Sequence, residues 1–349
     1  MNARKRQLWM VAGIILVLIL SACGSSTSGG SGSSSSGSGK IALKIMVGGL
    51  SKQIYLPNEL TQRLGYFAAQ GLDVTLIDEA SGQSSENEVL AGQVEAGSGS
   101  YNHTIELQAA GKNMEAVVLL NIAPGEAEIV SAKAASHIHS VSDLKGKYLG
   151  VTELGSGTQT LTTALLHNAG ITPDQVHFVP VGAGDTFIAA LQQGKIDAGM
   201  TTEPTISRIV SSGVGKVLVD LRSPQSTQAA LGGPYPFICL FMNNSYVSSH
   251  QDVVQKLVNA YVKTLKWMHT HTAEQIADQM PADYYAGNKA LYVTALQNQM
   301  AIFSPDGLMP AGAPQSVLST EYQSNLVPKS KPIDLTTTFT NAFASKATG

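Results

Sequence analysis

From Lys40 onward, short apolar runs alternate with segments whose apolar residues recur at helical spacing. IALKIMV (41–47) leads into YLPNELTQRLGYF, LDVTLID (72–78) into SSENEVLAG, and AGSGS (96–100) into HTIELQAAG, with MEAVVLL closing the set. The apolar runs have the length of strands and the intervening segments the period of amphipathic helices, so the pattern predicts an α/β lobe on a largely parallel sheet. A second series begins near Glu128 and uses the same plan: EIVSAK, the turn VSDLKG, YLGVTE, a helix from Ser156 to Ala169, HFVPVG, DTFIAALQQG, IDAGM, EPTISRIVSSG and KVLVDL.

An internal echo ties the two series together. Gly92-Gln93-Val94-Glu95-Ala96-Gly97 matches Gly194-Lys195-Ile196-Asp197-Ala198-Gly199 in residue class at every position, with an offset of 102. In each copy a helix ends at glycine, a frequent helix terminator, and a short strand follows. Two related lobes imply a cleft between them. After Cys239 the pattern turns helical, with Val254, Leu257, Tyr261, Leu265 and Met268 on one face, and these helices are expected to pack on the first lobe. Glycine and proline interrupt the patterns at 121–128 and 234–237, the expected crossovers and hinges. The chain is therefore divided into lobe 1, 41–126 plus 241–349, and lobe 2, 127–240.

The first forty residues carry a different signal. Arg4, Lys5 and Arg6 precede an uncharged apolar run, Leu8 to Leu20, too short to span a bilayer comfortably, which reads as an export signal over residues 1–22. Leu20-Ser21-Ala22-Cys23 resembles the lipobox of bacterial lipoproteins, which implies cleavage before Cys23 and acylation of its thiol. Residues 24–39 are Gly, Ser and one Thr, a flexible tether that cannot bury apolar surface. The implied location is the outer face of the cytoplasmic membrane, or the periplasm if an outer membrane exists. The other cysteine, Cys239, lies in the apolar run PFICLF, where it reads as a small buried hydrophobe. A formal net charge of −3 over 349 residues gives no global bias toward nucleic acid.

LPNELTQRLGYFAAQGLDVTL, VSDLKGKYLGVTELGSGT, GKIDAG followed by TTEP, and FSPDGLMP together resemble the NitT/TauT group of ABC-importer substrate-binding proteins, SsuA/THI5-like, which handle nitrate, sulfonates, taurine and thiamine precursors. The resemblance covers nearly the whole mature chain. It implies a type II periplasmic-binding fold: two α/β lobes that close over a small solute and hand it to a permease and its ATPase, as a monomer without cofactor or catalytic residue. The expected solute is an anionic or zwitterionic organic molecule, sulfonate or taurine-like; a thiamine-precursor pyrimidine, or a fungal-type pyrimidine synthase activity, is the alternative.

Ligands of open parallel sheets lie beyond the carboxyl ends of strands, which singles out four junctions. GGLSKQ offers Ser51 and Gln53. SGSYNH offers Ser98, Ser100, Tyr101, Asn102 and His103, the tyrosine as a stacking ring and Asn102 also as a helix cap. ELGSGT offers Ser156, Gly157 and Thr158, whose backbone N–H groups and hydroxyls suit an oxyanion at a helix start, capping being compatible with binding. TTEP offers Thr202 and Glu203, the carboxylate facing either a ligand ammonium or the helix dipole. Gly155-x-Gly157-x-x-Thr160 lacks the acidic residue a dinucleotide site requires. The chain contains no GxxxxGK[ST], GxSxG or HExxH. His137 with His139, and His269 with His271, are incomplete as metal sites.

Overall fold

The computed structural model describes residues 39–347. The expected export signal, Cys23 and the expected tether up to Ser38 lie outside the described residues. Ten strands build two five-stranded sheets: β1 (Ile41–Val47), β2 (Leu72–Asp78), β3 (Ala96–Ser100) and β4 (Met114–Leu119) in the first series, then β5 (Glu126–Ser131), β6 (Tyr148–Val151), β7 (His177–Pro180), β8 (Ala198–Thr202) and β9 (Gly215–Leu221), and finally β10 (Ile238–Asn243). The strand orders are β2-β1-β3-β10-β4 and β7-β6-β8-β5-β9. The predicted alternation of strands and helices is what the chain adopts.

The sheets are mixed rather than largely parallel. β1 runs parallel to β2 and β3, but β10 is antiparallel to both β3 and β4; in the second sheet β5 is antiparallel to β8 and β9. The odd strand in each sheet is the one that has just crossed from the other sheet, so it enters from the opposite end. The two crossings pair with each other: the N–H groups of Leu120 and Asn121 donate to the Ile238 carbonyl, and Phe237 N–H donates back to Asn121 O at 2.9 Å. Because β10 begins at Ile238 and β5 at Glu126, residues 238–240 belong to the first sheet and Glu126 to the second, although the division drawn from the sequence put residues 238–240 in lobe 2 and Glu126 in lobe 1.

The first sheet is buried by helices that include Leu56–Arg63 and the long Gln251–Met268, whose Val254, Leu257, Tyr261, Leu265 and Met268 are all fully buried. That is the face predicted from helical spacing. The second sheet has a small core on each side, one around Phe187, Leu191 and Ile206, the other around Leu144, Leu149 and Leu166. The C-terminal helices do more than cover the first lobe: Lys289–Gln299 also contacts Thr205–Ser211 of the second.

The echoed glycines occupy the same place in the two sheets, in β3 and β8. A Cβ on Gly97 would lie 2.4 Å from a Phe241 ring carbon, and one on Gly199 would lie 2.5 Å from the Gly150 carbonyl oxygen. A ring can shift, whereas a neighbouring backbone in a sheet cannot. Gly199→Ala is therefore expected to destabilise by about 1–3 kcal/mol, and more than Gly97→Ala, as read from urea unfolding of the two variants.

Candidate functional site

Residues beyond the ends of β1, β2 and β6 and the last residues of β3 and β8, together with the first residue of β5 and the crossover residue Phe237, converge on a small inner chamber of about 20 Å³ between the two sheets. That is room for one water-sized group. The first lobe contributes Lys52, Ile54, Tyr55, Ser81, Gly82 and Ser100; the second contributes Glu126, Thr152, Ser156, Gly157, Thr158 and Thr202. Lys52 also lines an outer chamber of about 430 Å³, which Ser51, Asp78 and Glu79 share with Gly182, Arg208 and Tyr284.

The helix Gly157–Asn168 starts at the inner chamber with no side-chain cap, which leaves its first N–H groups without intrahelical partners and its dipole positive there. The hydroxyls around it are already committed. Ser156 Oγ donates to Glu153 O at 2.7 Å, Thr158 Oγ1 accepts from Thr152 N–H at 2.9 Å, and the two hydroxyls lie 2.7 Å apart. With one proton each, Ser156 serves Glu153 O and Thr158 donates to Ser156, so these side chains brace the turn and the backbone supplies the donors. Gly157 allows the close approach: a Cβ there would lie 2.7 Å from the Phe237 ring and 2.8 Å from Ser100 Oγ. Ser100 Oγ is buried and has no partner.

The Lys52 ammonium donates to the carbonyls of Gly48 (2.6 Å) and Ala80 (2.7 Å), leaving one of its three protons free. Burial lowers its pKa to about 8, partly offset by the carboxylates of Glu126, Asp78 and Glu153. Glu126 is 3% exposed, and burial raises its carboxyl to about 8, with Lys52 pulling the other way. Glu128, next on the same face of β5, is also raised to about 8 by burial, against a hydrogen bond from Thr162 Oγ1 at 2.9 Å. Across the lobes, Glu153 Oε2 accepts from the hydroxyls of Ser81 and Ser84.

Five of the predicted residues, Ser100, Ser156, Gly157, Thr158 and Thr202, line the inner chamber, and Ser51 lines the outer one. The structure corrects the others. Gln53 Nε2 donates to Tyr292 O and its Oε1 accepts from Gln299, so its side chain points into the C-terminal helices. Ser98 Oγ accepts from Asn58 beneath the sheet. Tyr101 is fully buried, its hydroxyl bonded to Thr338 and its ring edge-on to Phe339, so it offers no stacking face. Asn102 donates to Glu106, and His103 contacts Glu86 at 2.9 Å. Glu203 is buried and held by Ser207 N–H and hydroxyl and by Arg222 Nη1, so its carboxylate is already matched; only backbone links it to the cleft, Gln53 N–H donating to Glu203 O at 3.0 Å.

The residues overlooked are Lys52, Tyr55, Ser81, Glu126 and Thr152. Gln53–Tyr55 forms a 3₁₀ turn, in which residues three apart eclipse, so Lys52 and Tyr55 share the chamber side and Gln53 turns away. A readable signal did exist for Glu126: carboxylates alternating in GEAEIV, within a strand buried at every position.

Two mixed α/β lobes, joined by paired crossings and meeting on one polar chamber, make this a periplasmic binding protein fold. The chain belongs to the NMT1/THI5-like family, whose model matches residues 57–275. A solved protein from Bordetella bronchiseptica RB50 is 32% identical with a TM-score of 0.83, covering 88% of this chain and 96% of that one. The alkanesulfonate-binding protein SsuA from Xanthomonas axonopodis pv. citri, solved with MOPS bound, has a TM-score of 0.63 at 19% identity, covering 83% of this chain and 95% of that one. YtlA of Bacillus subtilis (strain 168) is 20% identical over 76% of this chain and 79% of its own length. The 4-amino-5-hydroxymethyl-2-methylpyrimidine phosphate synthase THI5 of Saccharomyces cerevisiae is 26% identical over 43% of this chain and 42% of its own length.

Two outcomes test this geometry. Unfolded carboxyls ionise near 4.5, whereas Glu126 and Glu128 hold their protons to about 8 in the fold. Between those values the folded state binds more protons, so stability is greatest at the acidic end and falls as pH rises. Glu128→Gln should flatten the decline in melting temperature between pH 5 and 8 by ~2–4 °C for each kcal/mol relieved; an unchanged slope would remove Glu128 from the account. Glu153→Ala deletes the acceptor for Ser81 and Ser84, so small-angle scattering of the ligand-free variant should give a larger radius of gyration than the parent.

Proposed function

We propose that this chain is the solute-binding subunit of an extracytoplasmic ABC importer, non-catalytic and tethered to the membrane through an acylated Cys23. It captures a small anionic or zwitterionic organic solute between its lobes and presents the closed form to a permease. The observation that carries this reading is the uncapped start of Gly157–Asn168, placed with the partnerless Ser100 hydroxyl and the Lys52 ammonium at a chamber built by both lobes. Helix N–H groups, one free hydroxyl and one ammonium proton form a set of donors suited to an oxyanion. Since the chamber of about 20 Å³ holds only a water-sized group, the lobes stand further apart around a bound solute than in this structure. A solute touching both lobes adds its contacts only to the closed form and so shifts the population toward it. The proposed hinges are the paired crossings near Leu120–Asn121 and Phe237–Ile238.

The names of the Xanthomonas sulfonate binder and of the nitrate-binding protein NrtA from Synechocystis support an oxyanion as cargo. The pyrimidine alternative loses its stacking ring, because Tyr101 belongs to the core.

A thermal-shift screen with taurine, ethanesulfonate, nitrate, bicarbonate and pyrimidine precursors tests the class, since a ligand at a hundred times its Kd adds about 2.7 kcal/mol of stability. A shift only with the pyrimidines would overturn the oxyanion reading. Gly157→Ala, which sets a methyl between Phe237 and Ser100, should weaken the responding ligand at least tenfold in titration calorimetry while the variant still melts cooperatively.

A further inference from the structure

We propose that Glu126 selects for solutes that carry an N–H donor close to their anionic end, so that the preferred cargo is a zwitterion or aminated oxyanion and not a bare anion. This inference rests on the oxyanion reading of the chamber above and names the group at its other side.

The chamber is unbalanced in one respect. Apart from Glu126, the groups identified for a ligand are donors: the helix start, the Ser100 hydroxyl and the Lys52 ammonium. Glu126 is the carboxyl group among the lining residues, and its Oε2 is buried with no hydrogen-bond partner. Two neighbouring donors are spent elsewhere, and neither the free proton of Lys52 nor the Tyr55 hydroxyl is bonded to Glu126 Oε2. Thr202, its register partner on β8, donates to Gly125 O at 3.1 Å, and Asn121 Nδ2 donates to Ile54 O at 3.0 Å. Two protons of Lys52 go to backbone carbonyls. Glu128 is the internal comparison: on the same strand and face and equally buried, it receives a proton from Thr162 on Oε2 and leaves only Oε1 without a partner. Glu203 likewise receives three donors. Glu128 and Glu203 thus receive donors from the fold, whereas among the described residues no side chain donates to Glu126, which faces the chamber.

A buried acceptor without a donor is unfavourable, and a carboxylate beside a bound anion adds like-charge repulsion. A ligand N–H or ammonium group relieves both at once. A bare anion relieves neither, and binds only if Glu126 takes up a proton. The burial that raises this carboxyl makes the second route a real competitor, which the test must separate.

Taurine and ethanesulfonate share the sulfonate and differ by the amine, so their affinities for the full-length protein and for Glu126→Gln, measured by titration calorimetry at pH 8, form the experiment. The expected result is at least a tenfold preference for taurine in the parent, reduced at least tenfold in Glu126→Gln. The melting temperature of ligand-free Glu126→Gln should equal or exceed that of the parent, because no structural bond is lost; a lower one would assign Glu126 to the fold and overturn the proposal. Ethanesulfonate binding as tightly as taurine would overturn it while leaving the oxyanion reading intact. No heat and no thermal shift with either compound would strike at the oxyanion reading and take this inference with it.

Discussion

The proposed site depends on an unsatisfied helix start held where water is scarce. The first N–H groups of Gly157–Asn168 point at a space that two lobes enclose, and no side chain caps them. In an exposed helix, water would satisfy those groups and the dipole would count for little. Between two lobes the same partial charge acts through a low effective dielectric, so it favours an anion far more strongly. The Ser156–Thr158–Glu153 bracing is the local condition for this, because it consumes the hydroxyls that would otherwise cap the helix.

The second constraint is topological. Each sheet receives one strand from the far side, and the two crossings are bonded to each other at Asn121, Phe237 and Ile238. This topology also sets the placement of chemistry: Glu126 opens the strand immediately after one crossing and Phe237 closes the other, so both chamber residues sit at the crossings. Glu153, reaching from the second lobe to Ser81 and Ser84, supplies a polar contact that exists only when the lobes meet.

Charge in the cleft is arranged by burial and partner supply more than by count. Glu203, Glu128 and Glu126 are all buried in the second lobe, yet their environments differ. Arg222 and Ser207 match the first, Thr162 half-matches the second, and the third keeps an empty acceptor beside Lys52. A sequence shows three glutamates near strand ends; only the contacts sort structural acids from one available to a solute.

The sequence by itself determined the strand and helix alternation, the doubled plan, the buried face of Gln251–Met268 and the turn at Gly157, because each follows from local periodicity or from backbone freedom at glycine. The 102-residue echo even located equivalent strands, β3 and β8, in the two sheets. What only the tertiary structure decided was direction and occupancy. The antiparallel crossing strands, the inward turn of Lys52 and Tyr55 against the outward turn of Gln53, and the burial of Tyr101 beside Phe339 depend on what packs opposite. Side chains adjacent in sequence leave a 3₁₀ turn or a helix start on different sides, and which side faces the partner lobe is set by contacts hundreds of residues apart in the chain, such as Gln53 with Gln299 and Tyr101 with Thr338.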